Sequence, residues 1–525
     1  METNKGLNMT TRRDILIRFG AVGGIAAAYT AARGLGLVGS DEAWAGMPDL
    51  QPGSGKGTRV VILGAGVSGM AAAYELGKAG YQCTVLEARN RVGGRNFTIR
   101  PGTVLDLDGR PRQVCGFSEG QYFNAGAGRI PTHHLLTLGY CREFGVATEV
   151  EVNMCNSAFI QSDNVNDGKP ITLRHAILDY RGHVAELLAK CGQAGALDAE
   201  LSADDRDRLM ASLREWAGLT EKLTYPGRED AGLAVPPGAG AQTSRAEDPL
   251  PLSLVDNRFV LGAAAFADAI DMQATMQQPV GGMDHIPSAF HKKLGKVIRM
   301  GSEVRAIRRK GRGVAVTYAD TRTGKTTTVD ADYCICTIPF SVLAGIDNDF
   351  SPDRQAAIKR NSTIGDGYKV AFQGPRFWEQ DDRIFGGLSF TDRDTLMTWY
   401  PSNNLNTAEG VVVAGYAFDG KAGARDLPAQ YDYGRETMEK LHPGRSHLLH
   451  SPIAIQWSRV KYSQGAWLFL ADQDPDAYAL MSDADGPFYF AGEHLSHIPA
   501  WQQGAFLSAH RVVNLIADRV KAQKA

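Results

Sequence analysis

The sequence has almost no excess charge of either sign. Its 525 residues include 56 Lys and Arg against 58 Asp and Glu, so the formal net charge is −2. A chain this close to neutrality generates no long-range field toward nucleic acid or anionic lipid, and we expect neither as a partner. Hydrophobic residues make up 43% and charged residues 22%, as is typical of soluble globular proteins. The length predicts two large domains or about three ordinary ones.

Cysteine is scarce and irregularly spaced. An odd number of cysteines without zinc-like spacing argues against a disulfide framework and against a structural metal. The sequence also contains no paired carboxylates, Ser/His/Asp set or metal cluster that would support another chemistry. We therefore predict no metal site. The seven cysteines are Cys83, Cys115, Cys141, Cys155, Cys191, Cys334 and Cys336.

A long uninterrupted apolar run is also missing, even near the N-terminus. Residues 11–45 combine paired arginines at 12–13, a weakly apolar Gly/Ala-rich stretch and an Ala-Trp-Ala cleavage sequence at 43–45. Paired arginines are typical of twin-arginine export signals. The alternative is a membrane anchor, but Arg33 and the glycines make a poor spanning helix. We predict a signal peptide over residues 1–45, a periplasmic or secreted protein and no stable membrane insertion.

Glycine, by contrast, is abundant, and it forms a motif behind the first β-branched run. Arg59–Leu63 is suited to a buried parallel strand, and Gly64-Ala65-Gly66-Val67-Ser68-Gly69 follows it directly. In such a motif the first glycine makes a tight turn, the second admits a pyrophosphate and the third packs helix on strand. A second strand ends at Glu87, where an acid can bind a ribose diol. The order predicts a dinucleotide site, for NAD or FAD.

The next segment distinguishes the two cofactors. Residues 87–95 read Glu-Ala-Arg-Asn-Arg-Val-Gly-Gly-Arg and resemble an extension found in the flavin-dependent amine oxidase superfamily. Gly93 and Gly94 let the chain fold back over a diphosphate, and the Arg95 guanidinium can offset its charge. A surface arginine cluster is the alternative for Arg89 and Arg91. The resemblance implies FAD as the cofactor.

Two later segments complete the FAD domain that the resemblance implies. Around Val304 a strand follows a glycine turn and a helix, and its backbone is expected to meet the adenine. Near the C-terminus a strand ends in Gly492-Glu493, where the carboxylate would bind ribityl hydroxyls. A helix after Trp501-Gln502 would aim its positive end at the flavin.

These pieces predict an α/β fold with a discontinuous Rossmann-like FAD-binding domain, an α+β substrate domain and a helical insertion. The FAD domain is expected over residues 58–104, 276–342 and 484–525. The substrate domain is expected over 105–170 and 343–483, and the insertion over 171–275. In the family the insertion lines substrate access and contacts a partner subunit, so the resemblance implies a homodimer.

The segment from Tyr122 to Pro131 indicates the class of amine. L-amino-acid oxidases of this superfamily carry an Arg where this chain has Arg129, and that Arg pairs with the substrate α-carboxylate. A planar guanidinium matches a carboxylate bidentately. The alternative is an Arg that holds an FAD phosphate or a neighbouring Asp. His133 and His134, which follow this segment, are interpreted as helix-start histidines and not as catalytic bases.

Three further positions match the same family. Lys369 resembles the lysine that holds a water against flavin N5, Tyr400 resembles a second carboxylate contact, and Trp501 resembles the aromatic wall beside the flavin. The catalytic set is thus expected to be Lys369, Arg129, Tyr400 and Trp501. The cofactor-binding set is expected to be Gly64, Gly66, Ser68, Gly69, Glu87, Ala88, Arg89, Gly94, Arg95, Ala127, Gly128, Arg129, Val304, Gly492, Glu493 and Gln502.

The resemblance covers about residues 58–517 and is closest to bacterial L-amino-acid oxidases. It implies hydride transfer from Cα of an L-amino acid to FAD, with O2 as the second substrate and 2-oxo acid, ammonia and H2O2 as products. Large apolar or aromatic side chains are expected, and basic ones stay open. The alternatives are an amide-forming L-amino-acid 2-monooxygenase, an oxidase of amines without a carboxylate, a flavin-binding protein without turnover and, least favoured, an NAD dehydrogenase.

Overall fold

The structure is a computed structural model that describes Pro48 and residues 50–524. The predicted signal peptide lies outside the described residues. The strands are β1 (Arg59–Leu63), β2 (Gln82–Leu86), β3 (Thr98–Ile99), β4 (Val104–Leu105), β5 (Gln113–Val114), β6 (Phe123–Asn124), β7 (Ile130–Pro131), β8 (Thr148–Glu151), β9 (Phe159–Gln161), β10 (Ile171–Thr172), β11 (Leu233–Val235), β12 (Arg245–Ala246), β13 (Met276–Pro279), β14 (Ile298–Arg299), β15 (Ser302–Lys310), β16 (Gly313–Asp320), β17 (Thr326–Ala331), β18 (Tyr333–Cys336), β19 (Asp347–Asn348), β20 (Tyr368–Pro375), β21 (Gly387–Thr391), β22 (Met397–Tyr400), β23 (Glu409–Ala417), β24 (His450–Gln456) and β25 (Phe488–Phe490).

The helices alternate with these strands in the first part of the chain and again near the C-terminus. They are α1 (Val67–Lys78), α2 (Leu135–Phe144), α3 (Leu173–Gln193), α4 (Ala203–Ala217), α5 (Leu252–Val255), α6 (Arg258–Ala264), α7 (His285–Leu294), α8 (Phe340–Leu343), α9 (Pro352–Arg360), α10 (Phe377–Gln380), α11 (Lys421–Ala424), α12 (Leu427–Leu441), α13 (Leu470–Gln473), α14 (Pro475–Ser482) and α15 (Gln502–Lys524). None of the helices in the described part of the chain is both long and apolar enough to cross a membrane.

A parallel sheet in the order β14-β2-β1-β18-β25 organises the cofactor side of the molecule. Residues 60–63 of β1 are almost completely buried, because β1 is the central strand and helices cover the sheet. Helix α1 packs against α15, so the start and the end of the chain share one hydrophobic core. The strands come from three separate stretches of sequence. The predicted Rossmann-like α/β fold is confirmed.

A seven-stranded sheet in the order β10-β9-β21-β22-β23-β20-β24 forms the other wall of the molecule. Side chains of β20 alternate between its two faces. Tyr368, Val370 and Phe372 join the core that includes helix α12, whereas Ala371 joins a cluster on the opposite face. Lys369 shares that opposite face, which looks toward the parallel sheet. The alternation therefore decides which polar residues can reach the space between the sheets.

The predicted helical insertion begins with two long helices, α3 and α4, that pack against each other. Tyr225 seals their junction: its hydroxyl donates to Asp179 at 2.8 Å, and Gly182 leaves room for its ring. The chain then passes through α5, α6 and two 3₁₀ turns, Phe266–Asp268 and Ile270–Met272, before it enters β13. Through these turns the insertion returns to the interior of the molecule.

Candidate active site

A cavity of about 410 Å³ lies between the two sheets. Its size falls within the range of ligand pockets in proteins. The glycine turn after β1 lines one part of it, and Lys369, Tyr416 and Trp501 are also part of its lining. The predicted residues that line it are Gly64, Gly66, Ser68, Glu87, Ala88, Arg89, Gly94, Arg95, Ala127, Val304, Lys369, Gly492, Glu493, Trp501 and Gln502. Gly69, Gly128, Arg129 and Tyr400 lie outside this lining.

The glycine turn brings backbone amides to the edge of the cavity. Gly64 has φ +105°, a conformation that side chains disfavour. A Cβ at Gly69 would lie 2.1 Å from the carbonyl oxygen of Gly64, so helix α1 could not pack so closely on the turn. Gly66 faces open space and precedes the first turn of α1 without a capping side chain. The free N–H groups and the helix dipole make this end of α1 a site for a diphosphate.

Glu87 is fixed at the end of β2 by the backbone around it. Its Oε2 accepts from the N–H of Ala65 at 2.8 Å, and its Oε1 accepts from the N–H of Arg89 at 2.9 Å. A carboxylate has about four acceptor positions, so two bonds leave capacity for a ribose diol. The predicted position of this acid therefore has the geometry that diol binding needs.

Arg95 and Glu493 form an ion pair along the cavity wall. The Nη1 atom of Arg95 lies 2.9 Å from Oε1 of Glu493 and also donates to the carbonyl of Ala466. The second oxygen of Glu493 accepts from the N–H of Ala500 at 2.8 Å. Arg95 is thus already partly compensated by an internal acid. Any charge it offers to a diphosphate is shared with that partner.

Three polar side chains of the cavity lining have buried atoms without hydrogen-bond partners in the described structure. They are Oγ of Ser68, Nδ2 of Asn96 and Oε1 of Gln502. A buried polar atom without a partner is costly, and a bound ligand can satisfy it. With the glycine turn and the Glu87 carboxylate, these atoms suit the diphosphate, ribose and ring edges of FAD.

Lys369 stands at the far end of the cavity with one donor to spare. Its Nζ donates to the backbone carbonyls of Asn124 at 2.9 Å and Gly126 at 2.7 Å. The rings of Trp399 and Tyr416 flank it at 5.3 and 4.7 Å. Burial, with a smaller contribution from Arg129, lowers the pKa of Lys369 to about 7. An ammonium has three donors, so the third can hold a water in the cavity.

Arg129 lies next to this lysine, just behind the cavity wall. It is only 8% exposed, and its guanidinium stacks 4.7 Å from the ring of Trp399. It donates one hydrogen bond to Oδ1 of Asn153, and Phe266 of the insertion lies 6.0 Å away. A guanidinium carries five N–H donors in a rigid fork. Arg129 therefore keeps donor capacity for an anion, although it does not line the cavity itself.

Glu151 is a candidate site residue, a buried acid near Arg129, that the sequence analysis missed. It is 1% exposed, and its Oε1 accepts from Trp399 Nε1 at 3.1 Å. Its Oε2 is buried without a hydrogen-bond partner among the described residues. Burial raises the pKa of Glu151 to about 7, and nearby Arg129 opposes the rise. The acid belongs to no motif, and its only signal in the sequence is a Glu at an inward position of a short strand.

The region of residues 67–517 matches the model of one family, described as flavin-containing amine oxidoreductase. The chain belongs to this family. Its cofactor is FAD, as predicted, and it is an FAD-dependent amine oxidase. The match runs from the first residue of α1 into α15 and includes Lys369.

Curated relatives of this amine oxidoreductase include L-amino-acid oxidases. The Bacillus subtilis protein YobN, which carries a provisional L-amino-acid oxidase name, is 27% identical over 484 residues, or 86% of this chain and 93% of that protein. An L-amino-acid oxidase of Siganus canaliculatus is 28% identical over 87% of this chain and 85% of its own. A triple mutant of a putrescine oxidase has a similar fold, with a TM-score of 0.58 at 18% identity, covering 88% of this chain and 99% of its own.

In this amine oxidoreductase Tyr400 does not meet the cavity, and the prediction of a carboxylate contact is wrong. Its side chain is fully buried on the far face of the seven-stranded sheet. Its hydroxyl bonds to Oγ of Ser389 at 2.9 Å and to Nε2 of His442 at 2.8 Å. Neighbouring strand residues point to opposite faces, so Trp399 takes the place beside Arg129. A second aromatic, Tyr416 of β23, completes that wall.

Proposed function

We propose that this amine oxidase acts on L-amino acids and converts them to 2-oxo acids, ammonia and H2O2. The observation that carries the proposal is the buried Arg129 guanidinium, which lies beside Lys369 just behind the cavity wall. A cation held there without a salt bridge to any described acid is suited to a carboxylate. The named L-amino-acid oxidases among the relatives favour the same substrate class.

When bound along the glycine turn and Glu87, FAD would supply the two-electron oxidation of the substrate, with O2 as the final electron acceptor and H2O2 as its product. Arg129 holds the carboxylate, so the residues of the chain contribute mainly by orienting Cα toward the flavin. Such positioning is a large part of the rate enhancement in many enzymes. The Trp399 ring, 4.7 Å from the guanidinium carbon of Arg129, and the bond to Asn153 help to hold the guanidinium in place.

Lys369 is assigned the handling of water. Its two bonds to backbone carbonyls hold Nζ still, and the third donor can orient a water at the cavity end. The role proposed for this water is to add to the imine carbon of the imino acid, after which the adduct releases ammonia and leaves the 2-oxo acid. Because its pKa is about 7, Lys369 can exchange a proton with this water at neutral pH.

The aromatic wall favours apolar or aromatic side chains on the substrate. Trp399 and Phe266 lie against Arg129, Tyr416 and Trp501 line the cavity, and large rings bury apolar area well. A panel of the twenty amino acids, read by peroxide release, tests this preference. Quantifying 2-oxo acid against amide distinguishes an oxidase from a 2-monooxygenase.

The decisive experiment compares phenylalanine with 2-phenylethylamine in wild-type enzyme, Arg129→Ala and Arg129→Lys. Arg129→Ala should lower kcat/KM for phenylalanine by about 100-fold or more, on the order of 3 kcal/mol. The amine, which has no carboxylate, should be almost unaffected, and Arg129→Lys should recover part of the activity. If kcat/KM for phenylalanine stays within threefold in Arg129→Ala, the amino-acid assignment is refuted.

We also propose that the protein is exported and that it forms a homodimer. The paired arginines at 12–13 support twin-arginine export, and fusion of residues 1–45 to a reporter protein tests it. Replacement of both arginines by lysine should keep the reporter inside the cell. Light scattering of the FAD-loaded protein tests the homodimer.

A further inference from the structure

We call the part of the cavity around Lys369 and Arg129 the substrate end. Two histidines and an aspartate lie together at its edge. His133 and His134 lie between β7 and α2, and Asp271 lies in the 3₁₀ turn Ile270–Met272 of the insertion. Oδ1 of Asp271 is 2.8 Å from Nε2 of His133 and 3.2 Å from Nε2 of His134. The three ligand atoms lie within 4.8 Å of one another. We call these residues the His-Asp cluster.

The donor set of this cluster suits a transition ion. Imidazole nitrogen and carboxylate oxygen are ordinary ligands of Zn²⁺, and a tetrahedral ion with bonds of about 2.0–2.2 Å holds its ligand atoms roughly 3.3 Å apart. Oδ1 of Asp271 already lies at about this separation from both Nε2 atoms, whereas the widest separation in the cluster, within 4.8 Å, has to shorten when an ion binds. His134 is almost fully buried, whereas His133 and Asp271 are 39% and 33% exposed. The exposed side leaves a path for an ion and room for water as a further ligand.

We propose that His133, His134 and Asp271 bind one divalent transition ion, of which Zn²⁺ is the representative, and that this ion fastens the insertion across the substrate end. The proposal replaces the expectation of no metal site. It does not depend on the amino-acid assignment, because it needs only the cluster and the described fold.

The position of the cluster gives the ion a route to the chemistry. The carbonyl of Met272, next to Asp271, accepts from Nδ2 of Asn153 at 2.6 Å, and Asn153 in turn binds Arg129. On the other side, the His134 ring lies 5.1 Å from the ring of Trp501, which walls the cavity. An ion that locks the turn therefore restrains both walls of the substrate end. We expect it to slow substrate access and product release.

The test uses the full-length FAD-loaded protein after dialysis against EDTA. Calorimetric titration with ZnCl2 should show one saturable site per chain, whereas MgCl2 should not bind there, because Mg²⁺ prefers oxygen ligands. Co²⁺ should give visible d–d bands that report nitrogen and oxygen ligation. Turnover with the best substrate should fall as the site fills, while the flavin absorbance stays unchanged.

Three variants decide whether the cluster is the site. Asp271→Asn and His133→Gln keep hydrogen-bonding capacity and should each weaken Zn²⁺ binding at least tenfold and abolish the Co²⁺ bands. His291→Gln, at an exposed position of helix α7, is the control and should bind as the wild type does. FAD content verifies folding of all three. Unchanged Zn²⁺ affinity in Asp271→Asn and His133→Gln, or no saturable binding below about 1 mM in the wild type, would overturn the proposal.

Discussion

The two ends of the cavity are built in different ways. At the cofactor end, Gly64, Gly69 and Glu87 lie within one strand-turn-helix-strand unit. Backbone N–H groups of the same unit bind the Glu87 carboxylate. At the substrate end, side chains from β8, β20, β22, β23 and the insertion meet around Arg129. A local unit of this kind leaves a motif in the sequence, whereas an assembly of distant side chains leaves almost none.

The cofactor end should be the more fragile of the two, and Gly69→Ala tests this with the largest expected effect. The new Cβ would overlap the carbonyl oxygen of Gly64 at 2.1 Å and push α1 off the turn. We expect at least a 100-fold loss of FAD affinity, measured by flavin fluorescence after dialysis. The matched control is Gly77→Ala in the same helix, where a Cβ meets nothing within 4 Å. Equal FAD retention by both variants would show that the turn tolerates side chains.

Substitutions at the substrate end should lower the rate of turnover and leave FAD binding unchanged. Lys369→Met removes the water-holding donor, and kcat should fall on the order of 100-fold while FAD stays bound. The wild-type pH profile should contain an ionisation near 7 that the variant lacks, because the pKa of Lys369 is about 7. Lys359→Met, on the exposed side of α9, is the control for loss of a positive charge. Retention of the pH 7 ionisation in Lys369→Met would assign it to another group.

Glu151→Gln tests whether the substrate end carries a destabilising buried acid. The folded-state pKa of Glu151 is raised from 4.5 to about 7, so its contribution to stability is present below pH 4.5 and is lost as pH rises through 7. The loss is at most about 3 kcal/mol at 1.36 kcal/mol per unit. The Tm of Glu151→Gln relative to wild type should therefore climb between pH 4.5 and 7 and level off above 8. A difference that does not change with pH would exclude a titrating Glu151.

The smallest effect is expected when substitutions on the two faces of the seven-stranded sheet are compared. Tyr416→Phe, on the cavity face, should raise KM a few-fold. Tyr400→Phe should leave KM within twofold and lower the free energy of unfolding by about 1–2 kcal/mol, because the bonds to Ser389 and His442 are lost. Steady-state kinetics and urea unfolding measure the two quantities. A larger KM effect in Tyr400→Phe would restore its predicted role.

The neighbouring residues Trp399 and Tyr400 show what could and could not be predicted from the sequence. Arg129 and Lys369 were found by resemblance, and the structure brings them together at one end of the cavity. The same resemblance chose Tyr400, although Trp399 is the side chain beside Arg129. The pairing of β22 with β23 shifts register between Met397 and Trp399. Counting alternate residues along β22 therefore does not identify which of its side chains face the cavity.

The chain itself specifies its dinucleotide turn, since glycine spacing, positive φ angles and helix start are properties of a few consecutive residues. Tertiary structure alone decides the surroundings of Arg129 and the meeting of Asp271 with His133, 138 positions apart. Those contacts depend on strand pairing and on how the insertion folds back. The sequence pattern alone predicts neither the strand pairing nor the path of the insertion, because burial and charge compensation arise only when distant segments pack.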